Sequence, residues 1–144
     1  NNMAILDEVI RNAMRVRIIE KDIATDKDFQ FENKNFDPKG KKLWIRETWL
    51  GGEEQLLTNR RVWIPTSPLI QYDIFVPLNT GTMTVGQIAN AIEEEFDIAG
   101  EKSRVEISGM PQLKVEVKRI RLSTATEEEW YSQKLLFYLQ VFSN

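Results

Sequence analysis

The sequence predicts an α+β fold: a mostly antiparallel, mixed sheet with two helices on one face and long irregular loops. Three observations predict it. Two segments carry apolar residues at helical spacing, Ala4 to Arg15 and Val85 to Phe96. At least four others alternate or run apolar at strand length. Helices do not regularly separate those strands, which disfavours a parallel sheet wound through crossovers. With 144 residues, 42% of them hydrophobic and 28% charged, the chain has the size and balance of one domain able to bury its own core. Asn1 and Asn2 precede Met3 and read as a tag remnant, so the domain is counted as 3–144.

In the first helix, Ile5, Leu6, Val9, Ile10, Ala13 and Met14 form one stripe. Asp7, Glu8, Arg11, Asn12 and Arg15 take the opposite face, with acids early and arginines late as the helix dipole favours. Residues 16–42 read as irregular, anchored by Phe29, Phe31 and Phe36 and closed by the turn Asp37-Pro38-Lys39-Gly40. Leu43 to Leu50 reads as a strand, with Leu43, Ile45 and Glu47 on one face and Trp44, Arg46 and Thr48 on the other. A second long connection covers residues 50–68, where Val62-Trp63-Ile64 makes at most a short strand before Pro65 and Pro68.

Leu69 to Val76 is apolar on both faces and so belongs in the middle of the sheet. Pro77 to Gly81 turns the chain into the second helix, where Thr84 and Gln87 have capping-box spacing. Its stripe is Val85, Ile88, Ala89, Ile92 and Phe96, and Glu93, Glu94 and Glu95 read as its solvated face. Gly100 follows the helix, and Arg104 to Ser108 is a short strand ended by Gly109-Met110-Pro111. In the next strand Leu113, Val115 and Val117 point inward, then Ile120 and Leu122 resume in the other phase. That slip predicts a β-bulge near Lys118 or Arg119. The segment 125–130 reads as a turn and the remainder to Phe142 as a long strand, although Thr126 with Glu129 offers a competing helix start.

The absences bound the chemistry. The chain has no cysteine and no histidine. Thiolate or imidazole metal sites and Ser-His-Asp or Cys-His catalysis are thereby excluded within it. Gly51-Gly52 and Gly81 with Gly86 lack the Lys-Ser/Thr of a phosphate loop. The acidic clusters Glu53-Glu54, Glu93 to Glu95 and Glu127 to Glu129 read as solvated faces, not as a metal site or a carboxylate pair across a cleft. No cofactor and no catalytic residue are assigned. No apolar run reaches the length of a membrane helix, and the net charge of -3 does not mark a nucleic-acid binder.

Two groups of residues are candidates for contact with partners. Phe36, Trp44, Trp49, Arg60, Arg61 and Trp63 lie in or beside the long connections, and large aromatics there suit protein interfaces. The alternative is that the tryptophans cap the core. Lys114, Lys118, Arg119 and Arg121 form a basic stripe, broken by Glu116, which would face phosphates if this were a nucleic-acid module. Lys39, Lys41 and Lys42 add a basic turn.

The order of segments resembles the tail terminator (tail completion) proteins of long-tailed bacteriophages, the group typified by the minor tail protein U of lambda-like phages. The resemblance rests on the helix Ala4 to Arg15, on Phe31-Glu32-Asn33-Lys34-Asn35-Phe36-Asp37-Pro38 before Leu43-Trp44-Ile45-Arg46, on Ile74-Phe75-Val76-Pro77-Leu78-Asn79-Thr80-Gly81, and on Ile88-Ala89-Asn90-Ala91-Ile92 with Phe96. It implies a structural virion protein, assembled in the host cytoplasm, that forms a ring (usually of six) at the end of the tail tube. The implied partners are other copies of itself, the tube protein and head–tail connector proteins, with DNA contact only incidental. Another neck assembly factor, a small carboxylate-dependent enzyme and a nucleic-acid module are the alternatives.

Overall fold

The computed structural model describes residues 2–21, 24–31, 36–51, 54–57, 62–65, 67–78, 82–96, 103–107 and 113–143. Its elements are α1 (Asn2–Glu20), a 3-10 turn (Asp26–Asp28), β1 (Phe29–Gln30), β2 (Trp44–Gly51), β3 (Glu54–Leu57), β4 (Val62–Pro65), β5 (Leu69–Pro77), α2 (Thr82–Glu95), β6 (Arg104–Glu106), β7 (Leu113–Glu127) and β8 (Trp130–Ser143). Six strands form one sheet in the order β1-β2-β5-β8-β7-β6, and β3 and β4 form a separate two-stranded ribbon. β1 runs parallel to β2, while every other pairing is antiparallel, so the sheet is mixed as expected.

Both helices lie on one face because their stripes and the inward phase of the strands share one core. Ile10, Met14 and Ile18 recur every fourth residue of α1, and Val85, Ala89, Ile92 and Phe96 do the same work on α2. They bury Ile45 of β2, Ile70, Tyr72, Ile74 and Val76 of β5, Val115 and Val117 of β7, and Leu135, Phe137 and Leu139 of β8. β5 holds an interior place between β2 and β8, and Tyr72 through Val76 are buried without a break. Phe96 and Tyr72 meet the Phe137 ring edge-on at 5.2 and 5.6 Å, which ties α2 to the middle of the sheet.

Several expectations are corrected. α1 runs on to Glu20, so Val16 to Glu20 are helical and not loop. Phe29-Gln30 is a strand, missed because two residues carry no readable period. Segment 50–68 is not an irregular loop: Glu54–Leu57 and Val62–Pro65 pair antiparallel, with Pro65 at the end of its strand, where the lack of an N–H is tolerated. α2 starts at Thr82, so Thr84 lies inside the helix and cannot be its N-cap. Glu95 is not a solvated residue, because Arg17 and Lys21 of α1 pair with its carboxylate. Arg17 also donates to the Glu95 backbone carbonyl at 2.6 Å and to that of Arg104 at 3.3 Å. A helix C-terminus leaves carbonyls without intrahelical donors, and this arginine supplies one from a neighbouring helix. The turn at 79–81, Gly100 and Gly109-Met110-Pro111 lie outside the described residues.

The bulge falls where the phase slip puts it: Val117 pairs with Leu139 and Arg119 with Tyr138, which leaves Lys118 as the extra residue. The turn expected over 125–130 is only Glu128-Glu129: β7 runs on to Glu127 and β8 begins at Trp130, so the segment is a hairpin and no helix starts there. Glu128 takes φ 54°, a left-handed value that favours glycine. Glu128→Gly is therefore expected to raise stability by about 0.5–1 kcal/mol. Chemical denaturation of the two proteins, with unchanged slope, checks this.

Candidate interaction surfaces

α1 carries two arginines one turn apart, Arg11 and Arg15, and both are buried, not on the solvent face expected of them. The reason lies on β2, whose inward phase brings up Glu47 between Ile45 and Trp49. Arg15 Nε lies 3.1 Å from Glu47 Oε1. Tyr72 of β5, opposite Glu47 in the sheet, donates its hydroxyl to the same oxygen at 3.2 Å. Aromatic rings cover the guanidinium groups, Phe31 at 4.1 Å from Arg15 and Trp49 at 5.2 Å from Arg11. Burial pushes the Glu47 carboxyl up to about 7, against the opposing pull of Arg15, of the Tyr72 hydroxyl and of Arg11, with Glu8 adding slightly to the rise. Burial and the neighbouring carboxylate raise Tyr72 well above the ordinary phenol range. The arrangement locks α1 to β2 and β5.

The other face of the sheet holds a second, smaller core. Trp44 stacks on Phe75 at 4.1 Å and 10°, and meets Trp130 edge-on at 5.8 Å. Phe36 packs against Trp44 at 5.3 Å, and Lys41, paired to Asp28 at 3.0 Å, lies 5.8 Å from the Phe36 ring. Towards the middle of that face Arg46 bonds Asp73 at 2.8 Å and reaches Glu127 at 3.3 Å. Lys134 and Gln71 complete the shell around Asp73. Asp73 is buried, and these partners supply the opposite charge and hydrogen bonds that a buried carboxylate requires.

The expected interface residues are therefore scattered. Trp44 is only 6% exposed, so its ring is committed to the chain's own second core. Trp49 is half-buried beneath Arg11, on the helix face. Phe36 is half-buried at the rim of the second core. Trp63 sits on β4 of the ribbon, and Arg60 and Arg61 lie outside the described residues. Three side chains of the basic stripe are described. Lys114, Lys118 and Arg119 are exposed, and Arg121 follows at the next same-face position after Arg119. Glu116 interrupts it with an ion pair to Lys118 at 3.3 Å, while Arg119 lies over Tyr138 at 5.4 Å. Sequence reasoning missed the Arg11–Arg15–Glu47 group because arginine reads as a surface residue. The available signal was a carboxylate in the inward phase of a strand otherwise apolar there.

Among the described residues no cluster of three or more His, Cys, Asp or Glu could hold a metal ion. No helix among them is long and apolar enough to cross a membrane. The class these features define is a small α+β protein with a closed core and charged, aromatic-rimmed surfaces. That fold recurs in a solved chain 15% identical to this one, with TM-score 0.68 over 96% of each chain. No curated protein matches in sequence. The family model described as phage tail terminator protein matches residues 9–131, from the second turn of α1 to the start of β8, and the chain belongs to that family. Its role is thus that of a structural protein of a phage tail.

Proposed function

We propose that the chain closes into a ring of about six copies on the end of the tail tube, stops tube polymerisation there and offers its outer face to head-joining proteins. The match to the tail terminator family over residues 9–131 is the observation that carries this reading. A head-to-tail contact that closes by rotation gives a ring without free ends, which suits a protein that must stop a polymer. The partners are then other copies, the tube protein and the connector proteins, and DNA contacts the ring only in passing. The virion tail is the final location, reached by assembly in the host cytoplasm. The buried ion group and both cores serve this reading as rigid support, since surfaces that dock on a fixed lattice need fixed spacing.

The test is assembly with the protein present and absent. The protein should co-sediment with purified tail tubes in a fixed small ratio per tube. Tubes assembled without it should run to uncontrolled length, and tubes of normal length in its absence would sink the reading.

A further inference from the structure

Among the described residues, most of one edge of the long strand β7 is left without a neighbouring strand. β6 covers it only at Lys114, Val115 and Glu116. From Arg119 to Glu127 no described strand pairs with β7 on the side away from β8. The two-residue turn makes Glu127 and Trp130 the closing hydrogen-bonded pair, so Arg119, Arg121, Ser123, Ala125 and Glu127 bond towards β8. Side chains of β8 confirm that direction: Gln133 donates to the Ser123 carbonyl at 3.0 Å and Ser132 to that of Ala125 at 3.3 Å. Ile120, Leu122, Thr124 and Thr126 then present their N–H and C=O groups outward. Natural edges of this length are blunted by proline, by bulges or by inward charges. β7 has no proline, and its bulge and Lys118 guard one end only. Leu122, 45% exposed, is an apolar side chain left beside that edge.

The charge along the edge is polarised. Lys118, Arg119 and Arg121 stand at one end and Glu127, Glu128 and Glu129 at the other. We infer that β7 pairs edge to edge, antiparallel, with β7 of a second copy of this chain, about a two-fold axis at Ser123. In that register Arg119 faces Glu127 of the other copy, Ile120 faces Thr126 and Leu122 faces Thr124. All four outward residues of each copy then exchange backbone bonds. The Arg119–Glu127 pairs fall at positions where the backbone is not hydrogen-bonded and side chains approach closest. Sliding by two residues towards the bulge sets Arg119 against Ala125 and loses the ion pairs. Sliding the other way pairs Ile120 with the turn residue Glu128 and loses backbone bonds. A parallel pairing would bring like charges together. Glu127 already leans on Arg46, but half of its side chain remains open to a second cation. The contact is two-fold, unlike the head-to-tail contact of a ring, so it does not rest on the ring reading. It gives the free subunit a way to cover an edge that would otherwise template aggregation.

Sedimentation equilibrium of the full chain over a concentration series tests this. The wild type should show a monomer–dimer equilibrium that weakens with salt. Thr124→Pro removes one outward N–H without touching a bond to β8, and should abolish the dimer. Arg119→Glu should raise the dissociation constant tenfold or more, and Arg119→Glu with Glu127→Arg should restore it. The charge swap keeps the test decisive if the proline variant fails to fold, which circular dichroism reports. A wild type that stays monomeric at millimolar concentration overturns the inference. So does any oligomer that neither the proline nor the charge variants change, and a ring of that kind would leave the tail terminator reading standing while removing this contact.

Discussion

Between about pH 5 and about pH 8 the wild-type chain is expected to lose on the order of 2–3 kcal/mol of folding stability through Glu47, and the Glu47→Gln variant is expected to keep it. The sign follows from the folded value. Burial raises the Glu47 carboxyl from its ordinary 4.5 to about 7, so between those values the folded state holds a proton that the unfolded state has released. Stability from this group is complete below the unfolded value, declines as pH climbs towards the folded one, and is level above it. Glutamine fills the same space and still accepts from the Tyr72 hydroxyl, but does not titrate. Urea unfolding of both proteins at half-unit steps gives the difference profile. Asp28 does not confuse it. Burial raises that carboxyl, but bonds from Thr25 and Lys41 outweigh it and hold it below 3.8, so its effect lies at more acidic pH. Parallel profiles for the two proteins would show that Glu47 does not titrate in this window.

Trp44→Ala is expected to cost about 3–5 kcal/mol, the second large effect. The ring fills the gap between Phe75, Trp130 and Phe36, and among the described residues no helix packs on that face to collapse into the space left. Trp44→Phe keeps the stack on Phe75 and should lose less than half as much. Equilibrium denaturation with tryptophan fluorescence from the remaining indoles measures both. If Trp44 were instead an exposed anchor for a partner, alanine would leave the isolated chain's stability within about 0.5 kcal/mol and weaken only assembly.

These two sites mark where the sequence could and could not be read. The bulge at Lys118 was legible because Val117 and Ile120 are both apolar and lie an odd number of positions apart, a pattern only an extra residue reconciles with one buried face. The interior place of β5 was legible from its apolar residues on both faces. Arg11 and Arg15 were not, since a local pattern assigns arginine to solvent and only the fold brings Glu47 underneath them. The ribbon of β3 and β4 was hidden because Gln55-Leu56-Leu57 has neither a clean alternation nor β-branched residues. Trp44 was placed on the correct face of its strand, but that it meets Phe75 and Trp130 depends on pairings across 31 positions (Trp44 with Phe75) and 53 positions (Pro77 with Trp130), which no local spacing encodes. Family membership was legible from the order of segments, because that order is a property of the whole chain rather than of any one site.

The place of β8 has a consequence for synthesis. It lies between β5 and β7 in the sheet, yet it is the last described element in the chain. While the ribosome is still adding residues before Trp130, β5 has no neighbour on one side and the Phe137 ring that α2 closes over is missing. The core can only be completed once β8 has emerged. Any surface that rests on this core therefore takes its final form only after β8 has joined the sheet.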